Sequence, residues 1–459
     1  MQIKEIFGLK RKKIWIIPSI LFLCVLFWAV FSMGADVRLD EITEDSFTVT
    51  QEYEQTILIW EYDRGTSSFL EALTALAEKA SRTDFNGKKY HVVAVAVSEE
   101  NYDQELLEVY LQGNAPDIVM GDPQKFSFHT EVGVVIDLAP ILLQWEAEEN
   151  TCLEEVPQLA WNLFQNGKIQ MGIPVTQTGY GIVYNKEIFE QAQIKELPGT
   201  YEEWYRSCDK ISEMGIIPWI NGTEEKGTPD LSCLVYWLGT NRASILNDRN
   251  QADMGNAACQ EVWEFLERNY KKNYQPLNIL QYTEEEARTL FLSGEAAIYA
   301  GGIPTFIENN SEKYGVLPMP CGSMSMDDPN HPISYQGYYG IRSNHSRETL
   351  EVLKWWYEHS AELWTEYDAD RVPCKRELAD AVYGDNKLLR DWMDENLFTE
   401  NTATIFYPQT SYPDYANELF FRQYLTDIMT GVYSGGTIQE GVLKANYEID
   451  HLLEKYIIP

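Results

Sequence analysis

The feature that limits this chain most is an alternation of segment types between Thr56 and Met120. Ile57-Leu58-Ile59-Trp60 reads as a short buried strand, and the Gly65 turn leads into a helix from about Ser67 to Ala80. His91 to Val97 is a second β-branched run. Tyr102 to Leu111 carries Leu106, Leu107 and Tyr110 at helical spacing, and Ile118-Val119-Met120 is a third strand. Strand, helix, strand, helix, strand is the pattern of a parallel sheet with crossover helices. Such sheets bind ligands beyond the carboxyl ends of their strands, which puts Trp60-Glu61-Tyr62 and Gly121-Asp122 at candidate positions.

A second block begins near Gly172. Ile182-Val183-Tyr184 is strand-like, and Thr200 with Glu203 forms a capping box for a helix that carries Trp204, Cys208 and Ile211 toward a core. Tyr282 to Leu292 is amphipathic and helical, and Ala296 to Ala300 is a short strand ending in Gly301-Gly302. Gly315 to Met319 and Gly340-Ile341 read as further short strands. From Arg347 onward helices dominate, over 347–361, 376–394, 413–431 and 437–456. A chain of 459 residues has room for two or three folding units, at ~100–200 residues each.

Lys10, Arg11, Lys12 and Lys13 precede an apolar run from Ile14 to Phe31, close to the ~20 residues that cross a hydrocarbon core. Basic residues on that side keep the N-terminus in the cytoplasm and export the remainder. Residues 1–35 read as one hydrophobic helix, an uncleaved signal anchor or a cleaved signal peptide. The anchor is favoured because the run exceeds the usual signal-peptide core. Residues 36–55 are a polar, acidic spacer. Acidic residues outnumber basic ones 71 to 36, a net charge of −35. That field repels polyphosphate and excludes nucleic acid as a partner. Beyond Cys24 the six cysteines form no C-x-x-C, and a large domain needs no disulfide staples, so the expectation is mostly buried free thiols with at most one bridge, whose pairing the sequence leaves open. There is no phosphate loop, nucleophile elbow or zinc helix, and the six histidines are scattered. No catalytic residue, metal or cofactor is expected.

Five ordered segments resemble the extracellular solute-binding proteins of bacterial ABC importers, specifically the large sugar-binding family. Gly113-Asn114-Ala115-Pro116-Asp117-Ile118-Val119 is similar to that family's entry to a strand, and Gly133 to Leu138 to its helix entry. Gly167-Lys168 through Pro174, followed by Tyr184-Asn185-Lys186 and Phe189, resembles its central motif. Leu197 to Glu203 and Phe291 to Ile298 complete the set. The pieces also make physical sense alone: Pro116 turns Ala115 away from helix, and Gly113 can take a left-handed cap.

The resemblance implies an α/β, periplasmic-binding-protein-like fold of two lobes joined by a multi-segment hinge, preceded by the N-terminal helix. It implies lobe one over 56–175 plus 303–340 and lobe two over 180–300 plus 342–459, with crossings near Thr176–Gly179, Ala300–Gly302 and Tyr338–Ile341. It further implies a protein that captures a small polar solute, a mono- or oligosaccharide, and hands it to ABC permease subunits at the bacterial membrane. Sugars present apolar faces to aromatic rings and hydroxyls to polar groups, and the chain has 13 Trp and 28 Tyr. The ligand-binding candidates are Trp60, Glu61, Tyr62, Asp122, Thr176, Tyr180, Trp219, Trp237, Gly302, Tyr335, Gln336 and Tyr407. Gln177 is a further candidate contact and Tyr338 and Tyr412 are further cleft aromatics, Trp219 is the preferred stacking platform, and Glu61 and Asp122 are the preferred hydroxyl acceptors. Trp355 and Trp356, inside a helix, read as core. Ile303-Pro304 stands where the family often has an aromatic residue after Gly301-Gly302, and the family's lipid-bearing cysteine is missing. Two alternatives keep the exported chain: a membrane-attached glycoside hydrolase, and a solute-binding sensor that feeds a signalling kinase.

Overall fold

The computed structural model describes residues 53, 55–98, 102–123, 126, 129–130, 133–147, 156–223, 226, 230–247, 251–327, 331–343, 345–367, 371–399, 402–404, 414–433 and 437–456. The N-terminal apolar run, nearly all of the spacer, Tyr407 and Cys152 lie outside them. Among the described residues no helix is long and apolar enough to cross a membrane.

The first elements follow the expected alternation: β1 (Gln55–Tyr62), α1 (Ser67–Arg82), β2 (Tyr90–Val97), α2 (Tyr102–Leu111) and β3 (Ile118–Gly121). Next come α3 (Ala139–Ala147), α4 (Gln158–Leu163), the hairpin β4 (Gln165–Asn166) and β5 (Ile169–Gln170), β6 (Ile173–Gly179), β7 (Gly181–Asn185) and α5 (Lys186–Gln191). The middle holds α6 (Tyr201–Glu213), β8 (Ile217–Ile220), α7 (Leu231–Thr240), α8 (Ala257–Lys271), α9 (Glu284–Ser293), β9 (Ala296–Gly301) and β10 (Tyr314–Leu317). The last part comprises β11 (His331–Gly340), α10 (Ser346–His359), α11 (Ala361–Thr365), β12 (Val372–Pro373), α12 (Arg376–Tyr383), α13 (Lys387–Asn396), β13 (Thr402–Thr404), α14 (Asp414–Tyr433) and α15 (Ile438–Tyr456).

Two sheets organise these elements. The larger has the order β12-β6-β11-β3-β1-β2 with β13 beside β11, and the smaller runs β10-β7-β9-β8. β1 pairs parallel to β2 and β3, so their carboxyl ends share one edge, and β6 ends at that edge too because β11 runs antiparallel between β3 and β6. β2 is the last strand in the order of the larger sheet. There the Ser81 hydroxyl accepts from the Val92 N–H at 2.9 Å and donates to the Ala77 carbonyl at 2.9 Å, engaging a main-chain donor that would otherwise template another strand.

Local chemistry explains the helices. α1 buries Phe69, Leu73, Leu76, Ala77 and Ala80, a stripe at helical spacing, and Thr66 caps its start. The Thr200–Glu203 capping box opens α6 as its sequence implies, and a second box, Thr283 with Glu286, opens α9. Gly294 ends α9 with φ of +81°, a left-handed cap that a Cβ would strain.

Four features differ from the sequence reading. Tyr314–Leu317 pairs with β7 in the smaller sheet, although 303–340 is expected with the first lobe. The helix from Ser346 buries Val352, Leu353 and Trp356 and packs on β11, β1 and α1, covering the larger sheet where a second-lobe helix is expected. Tyr338–Ile341 is no crossing: Tyr338, Tyr339 and Gly340 pair with β3 deep in the larger sheet, and Ile341 continues from them. The helix expected over 376–394 breaks after Tyr383, and Asn386 caps a new one.

Candidate functional site

The chain passes from the larger sheet to the smaller at Tyr180, between β6 and β7, and returns between Leu317 and His331. Gly181 beside the first passage has no room for a side chain, since a Cβ there would lie 2.6 Å from the Asn396 carboxamide. Tyr180 stacks on Tyr236 of α7, with ring centroids 4.5 Å apart and planes at 25°. The Tyr180 hydroxyl sits 3.5 Å from both Asp230 carboxylate oxygens, and burial and that carboxylate raise its pKa well above the usual phenol value. Asp230 also caps α7 through the Cys233 N–H at 3.0 Å and accepts from Asn221 Nδ2 at 3.2 Å. Asn221, just past the carboxyl end of β8, accepts in turn from Gln275 at 2.6 Å. The Tyr236 hydroxyl donates to the Thr178 carbonyl at 3.1 Å, which ties α7 to β6.

The end of β6 and the start of β11 form the floor of this region. Their antiparallel register sets Tyr335 opposite Gln177 and Gln336 opposite Thr176. Cross-strand partners share a face, so each register pair presents its two side chains together and the two pairs point to opposite faces. All four residues are buried, Gln177, Gln336 and Thr176 completely. The Gln177 and Gln336 carboxamides, the Tyr335 hydroxyl and the Thr176 hydroxyl find no hydrogen-bond partner among the described residues. Buried polar groups are ordinarily paired, so these two unspent pairs, one on each face, mark this stretch of the sheet.

The carboxyl ends of β1 and β3 carry the other candidates. Tyr62 is buried beside Tyr102, centroids 4.6 Å apart, and its hydroxyl lies 3.5 Å from Asp122. Trp60 meets Tyr102 edge-on at 5.7 Å. Asp122 and Gly302 are half-buried.

Glu61 departs from the role of exposed hydroxyl acceptor. Strand alternation turns it to the face opposite Trp60 and Tyr62, where it is buried under α10. Its Oε1 accepts from the Tyr338 hydroxyl at 2.6 Å and Trp356 Nε1 at 2.8 Å, and Trp364 Nε1 donates to Tyr338 at 3.2 Å. Burial pushes its carboxyl up to about 7, against the lowering effect of those two donors and of Arg64.

Trp219 and Trp237 also depart from the sequence reading. Both are buried with Trp204 in a nest of three nearly perpendicular indoles, centroids 5.7 to 6.0 Å apart. Trp219 and Trp204 donate to one acceptor, Asn269 Oδ1, at 2.8 and 3.0 Å. They are core side chains beneath the smaller sheet. Asp230, Tyr236 and Gln275 escaped the sequence reading because they are polar residues of unremarkable local context, and only tertiary structure brings them to Tyr180.

The cysteines Cys208, Cys233, Cys259, Cys321 and Cys374 are free and buried, and burial raises their thiol pKa values, Cys259 to about 12. They are chemically quiet thiols. No group of acidic, histidine and cysteine side chains among the described residues could hold a metal.

Two α/β sheets linked at Tyr180 and before His331, with polar groups gathered at the carboxyl edge, define a periplasmic-binding-protein-like architecture. Residues 66–361 match the bacterial extracellular solute-binding protein family, and this chain belongs to that family. Membership places it among solute-binding proteins whose working part lies outside the cytoplasm. Among curated relatives it is 21% identical over 226 residues to the binding protein BAB2_0491 of Brucella abortus (strain 2308), covering 46% of this chain and 52% of the relative. The chain therefore spans about half the length of the curated relatives it matches. Among solved structures it is similar to the sugar-binding protein MalE of Xanthomonas citri, with TM-score 0.67 and 13% identity over 87% of this chain and 98% of that one. It is also similar to Lmo0181 of Listeria monocytogenes in complex with cycloalternan, with TM-score 0.61 and 14% identity over 87% and 99% of the two chains. A sugar transporter protein of Arthrobacter chlorophenolicus A6 with bound laminaribiose gives 0.63 and 16% over 88% and 100%. At these identities the likeness establishes the fold.

Proposed function

We propose that the chain captures a mono- or oligosaccharide between two lobes and delivers it to an ABC permease. The observation that carries this reading is the buried, unspent Gln177–Tyr335 pair beside the stacked Tyr180–Tyr236 rings. Aromatic faces and uncharged hydrogen-bonding groups together are what a sugar ring uses. Tyr62 and Asp122 contribute from the neighbouring strand ends, and Gly302 from the end of β9. Tyr407 is retained as a candidate contact. One lobe is built on the larger sheet with α10 to α12, the other on the smaller sheet with α6 to α8.

Capture works by differential affinity. A solute that touches both lobes only when they are closed shifts the open–closed equilibrium toward closure, and the passage at Tyr180 absorbs part of the motion. The N-terminal apolar segment holds the binding unit at the outer face of the membrane. The family is one of binding proteins, and the glycoside hydrolase alternative is set aside on that ground. A sensor partner in place of a permease would use the same capture step.

Titration calorimetry with a panel of mono- and oligosaccharides tests the reading. Saturable binding of at least one sugar, with the sugar recovered unaltered, is the expected result. Silence across the panel, or recovery of cleaved sugar, would overturn it.

A further inference from the structure

Hydrogen-bond arithmetic at the floor restricts the solute further, an inference that rests on the saccharide reading above. The four residues at the β6–β11 crossing, Gln177, Tyr335, Thr176 and Gln336, carry no formal charge. Each keeps both donor and acceptor capacity: a carboxamide has an NH2 and a carbonyl oxygen, and a hydroxyl has one hydrogen and two lone pairs. Both ends of the Gln177 and Gln336 carboxamides are unspent. A carboxylate or phosphate on the solute could use only the donors, and an ammonium only the acceptors. Either would leave half of each carboxamide buried without a partner, which burial penalises. A group that donates and accepts at once uses both ends, and the hydroxyls of a neutral saccharide are such groups.

The Gln177–Tyr335 pair is the better placed of the two. Gln177 precedes Thr178, whose carbonyl accepts from Tyr236, and Tyr236 stacks on Tyr180. The pair therefore adjoins the Tyr180–Tyr236 stack at the passage between the sheets. Thr176 and Gln336 share the face that carries Tyr338 and Glu61.

We infer that Gln177, with Tyr335 across the strand, is a specificity-determining residue that reads neutral hydroxyls and rejects carboxylated and amino saccharides. Ligand-free stability is the cost of this arrangement, because an unspent buried amide destabilises the unliganded fold.

The test uses the full chain in detergent or nanodiscs, with thermal-shift and calorimetric readouts. Neutral maltotriose, laminaritriose and xylotriose are compared with tri-galacturonic acid and chitosan trimer, for wild type, Gln177→Met and Tyr335→Phe. Binding of one or more neutral trimers is expected, with the charged trimers weaker by at least about 10-fold. Gln177→Met is expected to weaken the neutral sugar by about 10-fold or more while its ligand-free melting temperature stays equal to wild type or rises. Tyr335→Phe, which removes one oxygen from a buried ring, repeats the pattern should the methionine variant fold poorly. Two results would overturn the inference while leaving saccharide capture intact: charged trimers binding as tightly as neutral ones, or both variants binding with wild-type affinity. Loss of ligand-free stability in both variants would also overturn it, since it would show the polar groups to be internally satisfied. No binding by any trimer, together with silence across the mono- and oligosaccharide panel, would overturn the saccharide reading itself.

Discussion

Asn269 and Gln177 are both completely buried amides, and they have opposite fates. Beneath the smaller sheet, Asn269 accepts from the indoles of Trp204 and Trp219 and donates to the Phe265 carbonyl at 2.8 Å, so both ends of its carboxamide are engaged. At the crossing of the larger sheet, Gln177 keeps both ends of its carboxamide unspent, and so does Gln336. Burial is the same, but bookkeeping of hydrogen bonds separates a group that holds the fold from one held ready for a partner. Tryptophan content alone could not make that distinction, because the Trp219 indole that looked most like a platform is held by Asn269 in the core.

The comparison breaks most visibly at Asn269. Asn269→Leu strands two buried indole N–H groups, and chemical denaturation should show a loss of roughly 2–6 kcal/mol, from ~1–3 kcal/mol per stranded donor. A loss below ~1 kcal/mol would mean the nest is wetter than its burial indicates.

Glu61 is an intermediate case, a buried carboxyl with donors but raised to about 7. A carboxyl raised on folding binds its proton more tightly in the native state, so its stabilising contribution is complete below the ordinary value of 4.5 and is lost as pH rises through about 7. The ceiling on that loss is ~3 kcal/mol. Denaturation at pH 5 and pH 8 should show the wild type losing more stability on the alkaline side than Glu61→Gln, whose amide does not titrate. Parallel pH profiles would show that the Tyr338 and Trp356 hydrogen bonds keep the carboxyl ionised.

Thr283→Ala removes one capping box of α9 and should cost ~1 kcal/mol, read as a lower denaturation midpoint with unchanged slope. The smallest effect belongs to the unspent floor. Gln336→Met should leave ligand-free stability within ~0.5 kcal/mol of wild type or raise it, the opposite of Asn269→Leu although both remove a buried amide.

Elements with local signals were readable in the sequence. The β1-α1-β2-α2-β3 alternation, the Thr200 capping box and the helix after Arg347 follow from periodicity and caps within one turn or strand. β11 was legible only at its Gly340 end, because Ser334, Gln336 and Gly337 interrupt apolar alternation in a strand of ten residues. Its polar interior is itself the mark of the floor. The partners of Trp219 and Glu61 lie 50 and more than 270 residues away, and no local pattern encodes them. Strand-end position placed Tyr62 and Asp122 at one sheet edge, where their side chains lie 3.5 Å apart, but it could not say that alternation turns Glu61 inward.

The most direct test is a structure of the protein with a bound neutral oligosaccharide. The Gln177 carboxamide should stand within hydrogen-bond distance of sugar hydroxyls, donating to one and accepting from another, with Tyr180 or Tyr236 against the ring. A sugar seated away from the β6–β11 crossing, with Gln177 unspent in both states, would contradict the account.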